Sequence, residues 1–153
     1  MTDIYTVGFT KKNLKDFVAL LRDNKIEKVI DIRLKNSSQL AGFAKGEDLE
    51  YLLNDILQIK YEHIPLLAPN EELLTKYKKD SDWDFYVKSF TKLMDNRNSS
   101  EILDEHIKKF DRVCLLCSED TADHCHRRLI AERYQKYNIS TKVIHLSNKD
   151  IKK

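Results

Sequence analysis

The chain has 153 residues, 41% hydrophobic and 34% charged, which is long enough to bury one core but short for two. Its net charge of +2 is too small to predict a nucleic-acid binder on charge alone. No window approaches the roughly 20 apolar residues of a membrane span, and the N-terminus lacks the pattern of a leader. We therefore expect a single cytoplasmic domain over residues 1–153, with no membrane partner, a core over about 4–146 and a frayed tail over 147–153.

Five short apolar runs alternate with segments of helical periodicity. The runs are Ile4 to Val7, Lys28 to Ile32, Ile59 to Ile64, Val113 to Cys117 and Lys142 to Leu146. Between the first two runs, apolar residues follow the spacing of one buried helix face: Leu14, Phe17, Val18 and Leu21. The alternation predicts a single three-layer α/β domain, with a mainly parallel central sheet of about five strands flanked by helices.

The middle of the chain is predicted to be helical. One helix is expected from about Asp48 to Leu57, after which Pro65 and Pro69 interrupt regular structure. Two or three helices are then expected to cover the sheet between about 70 and 110. Large apolar side chains recur there at helical spacing: Trp83, Val87, Phe90 and Met94. Because base-stacking platforms usually lie on sheets or exposed loops, we interpret this stripe as core.

Residues 113–128 contain all three cysteines, two of the five histidines and a pair of arginines. The pattern predicts a strand, a polar loop and the start of a helix, with Asp120 or Thr121 as its N-cap. Cys125 and His126 then fall in or near the first turn, where unpaired backbone amides and the positive dipole end favour anions and thiolates. This segment is the first candidate site.

The odd number and clustering of the cysteines predict reduced thiols rather than a disulfide framework. Cys114 and Cys117 lie three apart in a strand, so Cys114 is expected to pack as a small apolar residue and Cys117 to end at the rim of the sheet. A zinc site that uses both is disfavoured, and we predict no metal ion and no cofactor. Cys117 and Cys125 are expected to come close. A nucleophile, a redox dithiol and two inert thiols all fit this pair.

Ligands of parallel α/β sheets bind at the carboxyl ends of the strands. Polar or small residues at these ends are Gly8, Asp31, Arg33, His63, Cys117 and Glu119. Asp31 and Arg33 are two apart in an extended segment and face the same side. A structural ion pair and a role in a site fit these two residues equally well.

Arg127 and Arg128 follow the predicted helix start and, together with Arg33, are suited to bind a phosphate or carboxylate. Neighbours on a helix diverge by about 100°, so only one of the two arginines can face the site. Arg128 shares a helix face with Cys125. We therefore expect Arg128 to face the site and Arg127 to be solvated, with Arg127 as the second candidate.

Several motifs are absent from the sequence. The only glycines are Gly8, Gly42 and Gly46, so the chain contains neither a Walker phosphate loop nor a GxGxxG fingerprint. This disfavours ordinary use of nucleoside triphosphates or nicotinamide cofactors. Neither Cys117 nor Cys125 has an arginine six residues further on, which excludes a tyrosine-phosphatase type of cradle. No GxSxG motif of serine hydrolases is present.

Taken in chain order, a set of short motifs resembles one family. The motifs are Ile4-Tyr-Thr-Val-Gly8-Phe-Thr, Val29-Ile-Asp31-Ile-Arg33, Ser38-Gln-Leu-Ala-Gly42-Phe43-Ala-Lys45, Tyr61-Glu-His63-Ile-Pro65, Leu67-Ala-Pro69, Cys117-Ser-Glu119 and Cys125-His126-Arg127-Arg128. From about Ile4 to Leu146 the chain is similar to the domain-of-unknown-function family 488, whose most recognisable element is the closing Cys-His-Arg.

The resemblance implies a small cytoplasmic three-layer α/β domain and an enzyme whose reaction and substrate are not assigned. The family's motif positions fall on Gly8, Asp31, Arg33, Phe43, Lys45, His63, Cys117, Glu119, Cys125, His126 and Arg127. Many relatives have a proline in the loop after the second strand and a double glycine after the His-x-Pro element. This chain has Lys35-Asn-Ser-Ser38 and Leu67-Ala-Pro69 there, which implies a subgroup with its own loop.

The leading hypothesis is an enzyme that acts on an anionic substrate, such as a nucleotide or nucleic-acid component, at the carboxyl ends of the strands. The predicted anion-binding residues are Gly8, Arg33, Lys45, His126, Arg127 and Arg128. Proton transfer is assigned to Asp31, Glu119 or His63. Cys117 or Cys125 is predicted to act as the nucleophile or to tune the site. The alternatives are a non-enzymatic nucleotide or nucleic-acid binding module, and a thiol redox protein that uses both cysteines.

Overall fold

A five-stranded sheet forms the centre of the computed structural model, which describes residues 2–37, 44–119 and 122–151. The strands are β1 (Asp3–Gly8), β2 (Lys28–Asp31), β3 (Lys60–His63), β4 (Arg112–Cys117) and β5 (Val143–His145). Their order is β3-β2-β4-β1-β5, and every pairing is parallel. Each strand matches one of the five predicted apolar runs to within one residue at either end. The predicted α/β architecture is therefore confirmed.

The described residues form α1 (Leu14–Asp23), α2 (Gly46–Tyr51), α3 (Glu71–Asp80), α4 (Trp83–Arg97), α5 (Ser99–Ile107) and α6 (His126–Tyr137). The predicted region of two or three helices thus contains α3, α4 and α5. Helix α2 continues as a π-helical turn over Leu52–Ile56. The described part of the tail differs from the expectation of fraying, because Ser147 caps a 3₁₀ turn over Asn148–Asp150 and Ile151 packs against the core.

Three helices begin at side chains that accept a free backbone N–H of the first turn, as good N-caps do: Asn13 before α1, Asn70 before α3 and Asp82 before α4. Helix α6 begins differently. Its N-cap is Cys125, which makes no side-chain capping hydrogen bond. The prediction of Asp120 or Thr121 as the cap is therefore wrong, and those two residues lie outside the described ranges.

Helices cover both faces of the sheet. Alternate side chains of β4 point to opposite faces, so Val113 and Leu115 join the core under α3 to α6, whereas Cys114 and Leu116 join the core under α1 and α2. The predicted aromatic stripe of α4 contributes two fully buried side chains, Phe90 and Met94, to the first of these cores. Within the described ranges, no helix is long and apolar enough to cross a membrane.

The topology places a crevice at the carboxyl end of β4. This strand lies between β2 and β1, and the chain leaving those two neighbours runs to helices on one face, while the chain leaving β4 runs to α6 on the other. Ligand sites of open α/β sheets form where connections diverge in this way. The register sets Gly8 beside Cys117 and Asp31 beside Leu116.

Candidate functional site

Two thiols form the centre of the candidate site. Cys117 ends β4 and Cys125 precedes α6, and their Sγ atoms lie 2.7 Å apart. Both cysteines are free, and they are 1% and 3% exposed. Cys114 lies on the opposite face of the sheet, packed against the side of α1. The structure thus brings Cys117 and Cys125 together, as the sequence predicts. It also places Cys114 and Cys117 on opposite faces of the sheet, as predicted.

The guanidinium of Arg127 lies against these sulfur atoms. Its Nη1 donates a hydrogen bond to Cys117 Sγ at 3.2 Å and another to the backbone carbonyl of Glu119, and its Nε donates to Thr6 Oγ1 at 3.2 Å. The Arg127 side chain is fully buried. One side chain therefore joins β1, the loop after β4 and the thiol at the end of β4.

The neighbouring Arg128 points elsewhere. It donates to the backbone carbonyl of Asp123 at 2.8 Å and lies over the ring of Trp83. The expectation that Arg128 faces the cysteines and Arg127 is solvated is therefore wrong. The reason is the position of the buried stripe of α6, which consists of Arg127, Ile130, Ala131 and Tyr134 and follows the spacing of a single helix face.

The two thiols differ in acidity. Burial acts to raise the pKa of Cys117, because it disfavours the thiolate, but hydrogen bonds from Cys125 and Arg127 and the charge of Arg127 outweigh it and lower that pKa below the ordinary value. In Cys125, the hydrogen bond to Cys117 and burial both raise the pKa well above the ordinary value. Cys117 is thus the group that ionises first, and Cys125 is the thiol that donates a proton toward it.

His126 fastens the start of α6 to the end of β2. Its Nε2 donates to the backbone carbonyl of Ile32 at 2.6 Å. Burial, reinforced by the charge of Arg127, lowers the pKa of His126 to about 4, so the imidazole is neutral near pH 7. Because Nε2 carries the proton, Nδ1 holds a lone pair, and it lies 4.0 Å from Cys125 Sγ.

Asp31 and Arg33 form a buried, bidentate ion pair. Arg33 Nε and Nη2 donate to the two carboxylate oxygens of Asp31 at 2.8 and 2.7 Å, and Tyr61 Oη donates to the same carboxylate at 2.6 Å. The backbone N–H of Arg33 adds a further bond at 3.2 Å. The carboxylate of Asp31 is therefore occupied by donors, which favours the structural ion pair among the two interpretations that the sequence left open.

Arg33 keeps one donor unused. The residue is 5% exposed, and its Nη2 also donates to the carbonyl of Ala44 at 2.8 Å. Its Nη1 is buried and has no hydrogen-bond partner within residues 2–37, 44–119 and 122–151. A buried donor without an acceptor is costly, so an oxygen atom of a ligand at this position would be stabilised.

A pocket of about 490 Å³ opens beside the thiols, over the carboxyl ends of β2 and β4. Its ionisable lining residues are Arg33, Lys35, Glu71, Lys78, Glu119 and His126. The imidazole of His126 is neutral near pH 7. A narrow cleft of about 110 Å³ shares Glu119 and His126 with this pocket and reaches both Cys117 and Cys125 between Tyr77 and Tyr86. The thiols are therefore approached through this cleft and not from open solvent.

Gly8 allows the loop after β4 to close over β1. A Cβ atom at this position would lie 1.4 Å from the carbonyl oxygen of Glu119 and 2.6 Å from Nη1 of Arg127. The absence of a side chain is thus required by the contact that holds Arg127 in place. Gly8 shapes the candidate site through the backbone.

The remaining predicted residues take different positions. His63 Nε2 donates to the backbone carbonyl of Arg33 at 2.6 Å, so it supports the chain beside the pocket. Lys45 forms an ion pair with Glu47 at 3.0 Å and lines neither the pocket nor the cleft. Phe43 lies outside the described residues. Of the eleven site residues predicted, five line the pocket or the cleft: Arg33, Cys117, Glu119, Cys125 and His126. Gly8, Asp31, His63 and Arg127 contact residues of that lining, whereas Lys45 and Arg128 have no such contact described above.

Two residues of the site were missed by the sequence analysis. Thr6 accepts a hydrogen bond from Arg127, and its hydroxyl also forms a hydrogen bond of 2.6 Å with Nδ1 of His145. Both lie within strands that otherwise read as apolar, Thr6 in β1 and His145 in β5. A polar residue inside such a run needs a partner when it is buried, and that signal could have drawn attention to them.

Within the described residues, no group of three or more histidine, cysteine, aspartate or glutamate side chains is arranged to hold a metal ion.

A family model described as "Domain of unknown function DUF488" matches residues 13–134, which includes both thiols and Arg127. No curated protein and no solved structure matches the chain. The family model spans well over half of the sequence, and the chain therefore belongs to the DUF488 family.

Proposed function

We propose that this protein is an enzyme that uses the thiolate of Cys117 on an anionic substrate bound in the pocket over β2 and β4. One observation carries the proposal. Cys117 Sγ accepts a hydrogen bond from Arg127 and lies 2.7 Å from Cys125 Sγ, at the end of a cleft that meets the pocket. The thiolate is the reactive form of cysteine, and an adjacent guanidinium favours it. A module that only bound an anion would have no use for such a thiol.

The pocket supports the anionic nature of the substrate. Lys78 and Lys35 lie on its wall, and the buried Nη1 of Arg33 supplies a donor that has no acceptor among the described residues. Lys35 is balanced by an ion pair with Glu71 at 2.5 Å, which leaves Lys78 and Arg33 as the groups best placed for an anionic ligand. The volume of about 490 Å³ falls within the range of about 300–1,000 Å³ of small-molecule sites. A substrate as large as a single nucleotide is therefore accommodated more readily than a nucleic-acid strand.

Competitive alkylation with two reagents of similar shape tests both parts of the proposal. Iodoacetate carries a negative charge and iodoacetamide does not. We expect Cys117 to react with an apparent pKa below the value of about 8.5 for a free thiol, to favour iodoacetate relative to a small reference thiol, and to be protected by phosphate or a nucleoside monophosphate. Peptide mass spectrometry identifies the alkylated cysteine, and Cys117→Ser removes the modification.

A pair of neighbouring lysines provides the matched control for the pocket. Lys78→Glu places a negative charge on the pocket wall and should abolish the preference for iodoacetate, whereas Lys79→Glu changes an exposed residue of α3 that does not line the pocket. If the two variants show the same preference for iodoacetate, the substrate is not anionic as proposed. If Cys117 reacts no faster than a free thiol at every pH, it is not a reactive thiolate.

A further inference from the structure

We infer a reaction class for this site: Cys117 and Cys125 act as a two-electron reductant of hydroperoxides, in which Cys117 attacks the peroxide and Cys125 closes a disulfide with it. The inference rests on the proposed function, because it needs the same thiolate. It goes further in stating which bond breaks, where the electrons go and why a second cysteine lies in the site.

The positions of the sulfur atoms support a reversible disulfide. They lie 2.7 Å apart, so a small further approach brings them to the roughly 2.05 Å of a disulfide bond. Cys125 precedes the first residue of α6, and the loop between the two thiols is short. Cys114 cannot take this role, because it packs on the opposite face of the sheet. The pairing is therefore specified by the fold.

The surroundings assign different roles to the two thiols. Cys117 accepts a hydrogen bond from the guanidinium of Arg127, which favours the thiolate and is placed to stabilise negative charge on an oxygen that leaves beside it. Cys125 Sγ lies 2.7 Å from Cys117 Sγ and 4.0 Å from Nδ1 of His126, which holds a lone pair. Cys117 is thus the sulfur that attacks the peroxide, and Cys125 is the thiol that then forms the disulfide with it.

The burial of the site selects a small oxidant. The two cysteines are 1% and 3% exposed, and the cleft that reaches them has a volume of about 110 Å³. A disulfide on the surface of another protein cannot reach a sulfur atom in this position. Hydrogen peroxide and small organic hydroperoxides can enter such a cleft. The wider pocket beside it, to which the proposed function assigns an anionic substrate, accommodates an organic part that carries a carboxylate or phosphate.

The reaction proceeds in two steps. The Cys117 thiolate attacks one oxygen of the hydroperoxide, the O–O bond breaks, Cys117 becomes a sulfenic acid, and the leaving oxygen takes the proton of Cys125. The Cys125 thiolate then attacks the sulfenic sulfur, an S–S bond forms, and the hydroxide that leaves combines with the proton that Cys117 released when it ionised, giving water. The dithiol loses two electrons and the hydroperoxide gains them. Two molecules of a small thiol restore the dithiol by exchange and become a disulfide.

Intact-mass spectrometry of the full chain after addition of one equivalent of hydrogen peroxide tests this scheme. The wild type and Cys114→Ala should lose the mass of two hydrogen atoms, and peptide mapping should show a Cys117–Cys125 bond. Cys125→Ser should gain the mass of one oxygen atom as a sulfenic acid that dimedone traps. Cys117→Ser should do neither. With excess dithiothreitol, the wild type and Cys114→Ala should consume peroxide continuously, and Cys117→Ser should not.

The outcomes separate this inference from the proposed function. If Cys117 alkylates rapidly at low pH but peroxide forms no Cys117–Cys125 bond in the wild type, the reductant role is overturned and the thiolate enzyme stands. If Cys117 is unreactive toward both reagents, both are overturned. A disulfide that includes Cys114, or a sulfenic acid trapped at Cys125 in Cys117→Ser, would overturn the assigned roles. Because the mapping is done on the wild type, it does not depend on the folding of a variant.

Discussion

Arg127 joins three separate parts of the site through a single side chain. It is a charged residue at a fully buried position, where a charge is tolerated only when several acceptors surround it. Thr6, the carbonyl of Glu119 and the sulfur of Cys117 supply such acceptors. The acidity of the thiol and the packing of the α6 start therefore depend on the same guanidinium.

Replacing Arg127 by lysine should raise the pKa of Cys117. The ammonium of lysine keeps a charge but cannot reach the sulfur, Thr6 and Glu119 together from one planar group. We expect the midpoint of the Cys117 alkylation rate against pH to rise by about one unit or more. Arg128→Lys is the matched control, because that side chain points away from the thiols. Identical midpoints in the two variants would contradict the role of Arg127.

Gly8→Ala should destabilise the protein and disturb the thiol together. The added methyl group would meet the backbone of Glu119 at 1.4 Å, so the loop after β4 has to move, at a typical overpacking cost of about 1–3 kcal/mol. Urea unfolding measures this cost, and alkylation against pH should show a raised midpoint for Cys117. Gly46→Ala serves for comparison, since the three described atoms nearest to its methyl group all belong to the side chain of Asn36 and not to the backbone. An unchanged midpoint in Gly8→Ala would show that Arg127 does not depend on this contact.

At the scale of elements, the start of α6 is attached to β2 by a neutral histidine. His126 donates to the carbonyl of Ile32 and lies near Arg127 and Asp31, whose charges act on it in opposite directions. Protonation would place a second positive charge beside Arg127 in a buried position. The contact between α6 and β2 is therefore sensitive to acid.

We expect the free energy of unfolding to fall as the pH is lowered through this group. In the native protein the pKa of His126 is about 4, whereas an unfolded histidine has a pKa of about 6.5. Between these values the unfolded state binds more protons, so stability is complete above about pH 6.5 and is lost toward about pH 4, by up to about 3 kcal/mol. Urea unfolding across this range measures the loss.

His126→Gln isolates the contribution of the imidazole. Its side-chain amide can still donate to the carbonyl of Ile32, but it does not titrate. The variant should show a shallower dependence of stability on pH than the wild type. His124→Gln, at an exposed position just before the helix, should keep the wild-type dependence. If both variants follow the wild type, His126 does not carry the effect.

At the scale of the whole molecule, the candidate site is built at the end of the central strand. β4 is bonded to β2 on one side and to β1 on the other, and helices cover both of its faces. Five of its six residues are buried. The edge strands β3 and β5 have no buried residue. The reactive sulfur therefore lies at the end of a strand that is bonded along both edges and covered on both faces.

Hydrogen exchange should follow this arrangement. Amides of β4 are expected to exchange last, close to the free energy of global unfolding, and those of β3 and β5 are expected to exchange earlier through local opening. Mass spectrometry of peptides from residues 112–117, 60–63 and 143–145 compares the three strands. Exchange of β4 as early as that of β3 would mean that the sheet opens from its centre.

Much of this fold followed from local patterns. The apolar runs predicted β1 to β5, because a buried parallel strand needs a continuous apolar segment, and the spacing of Leu14, Phe17 and Leu21 predicted α1. The pairing of Cys117 with Cys125 also followed, since a strand end and the next helix start are joined by a short loop. Arg128 and the helix cap were predicted wrongly, because both depend on the residue at which α6 begins, and that residue is set by packing on the sheet.

The sequence by itself determined which residues form strands and helices, and it identified the segment that carries the thiols, because those properties depend on residues close together in the chain. Only the tertiary structure decided how these residues act on one another. The order of strands brought Gly8 and Thr6 to Arg127, turned Arg128 outward and, within the part of the chain that the structure describes, left the Nη1 of Arg33 without an acceptor. The acidity of Cys117 is a sum of such contacts from distant parts of the chain, so no local pattern could have specified it.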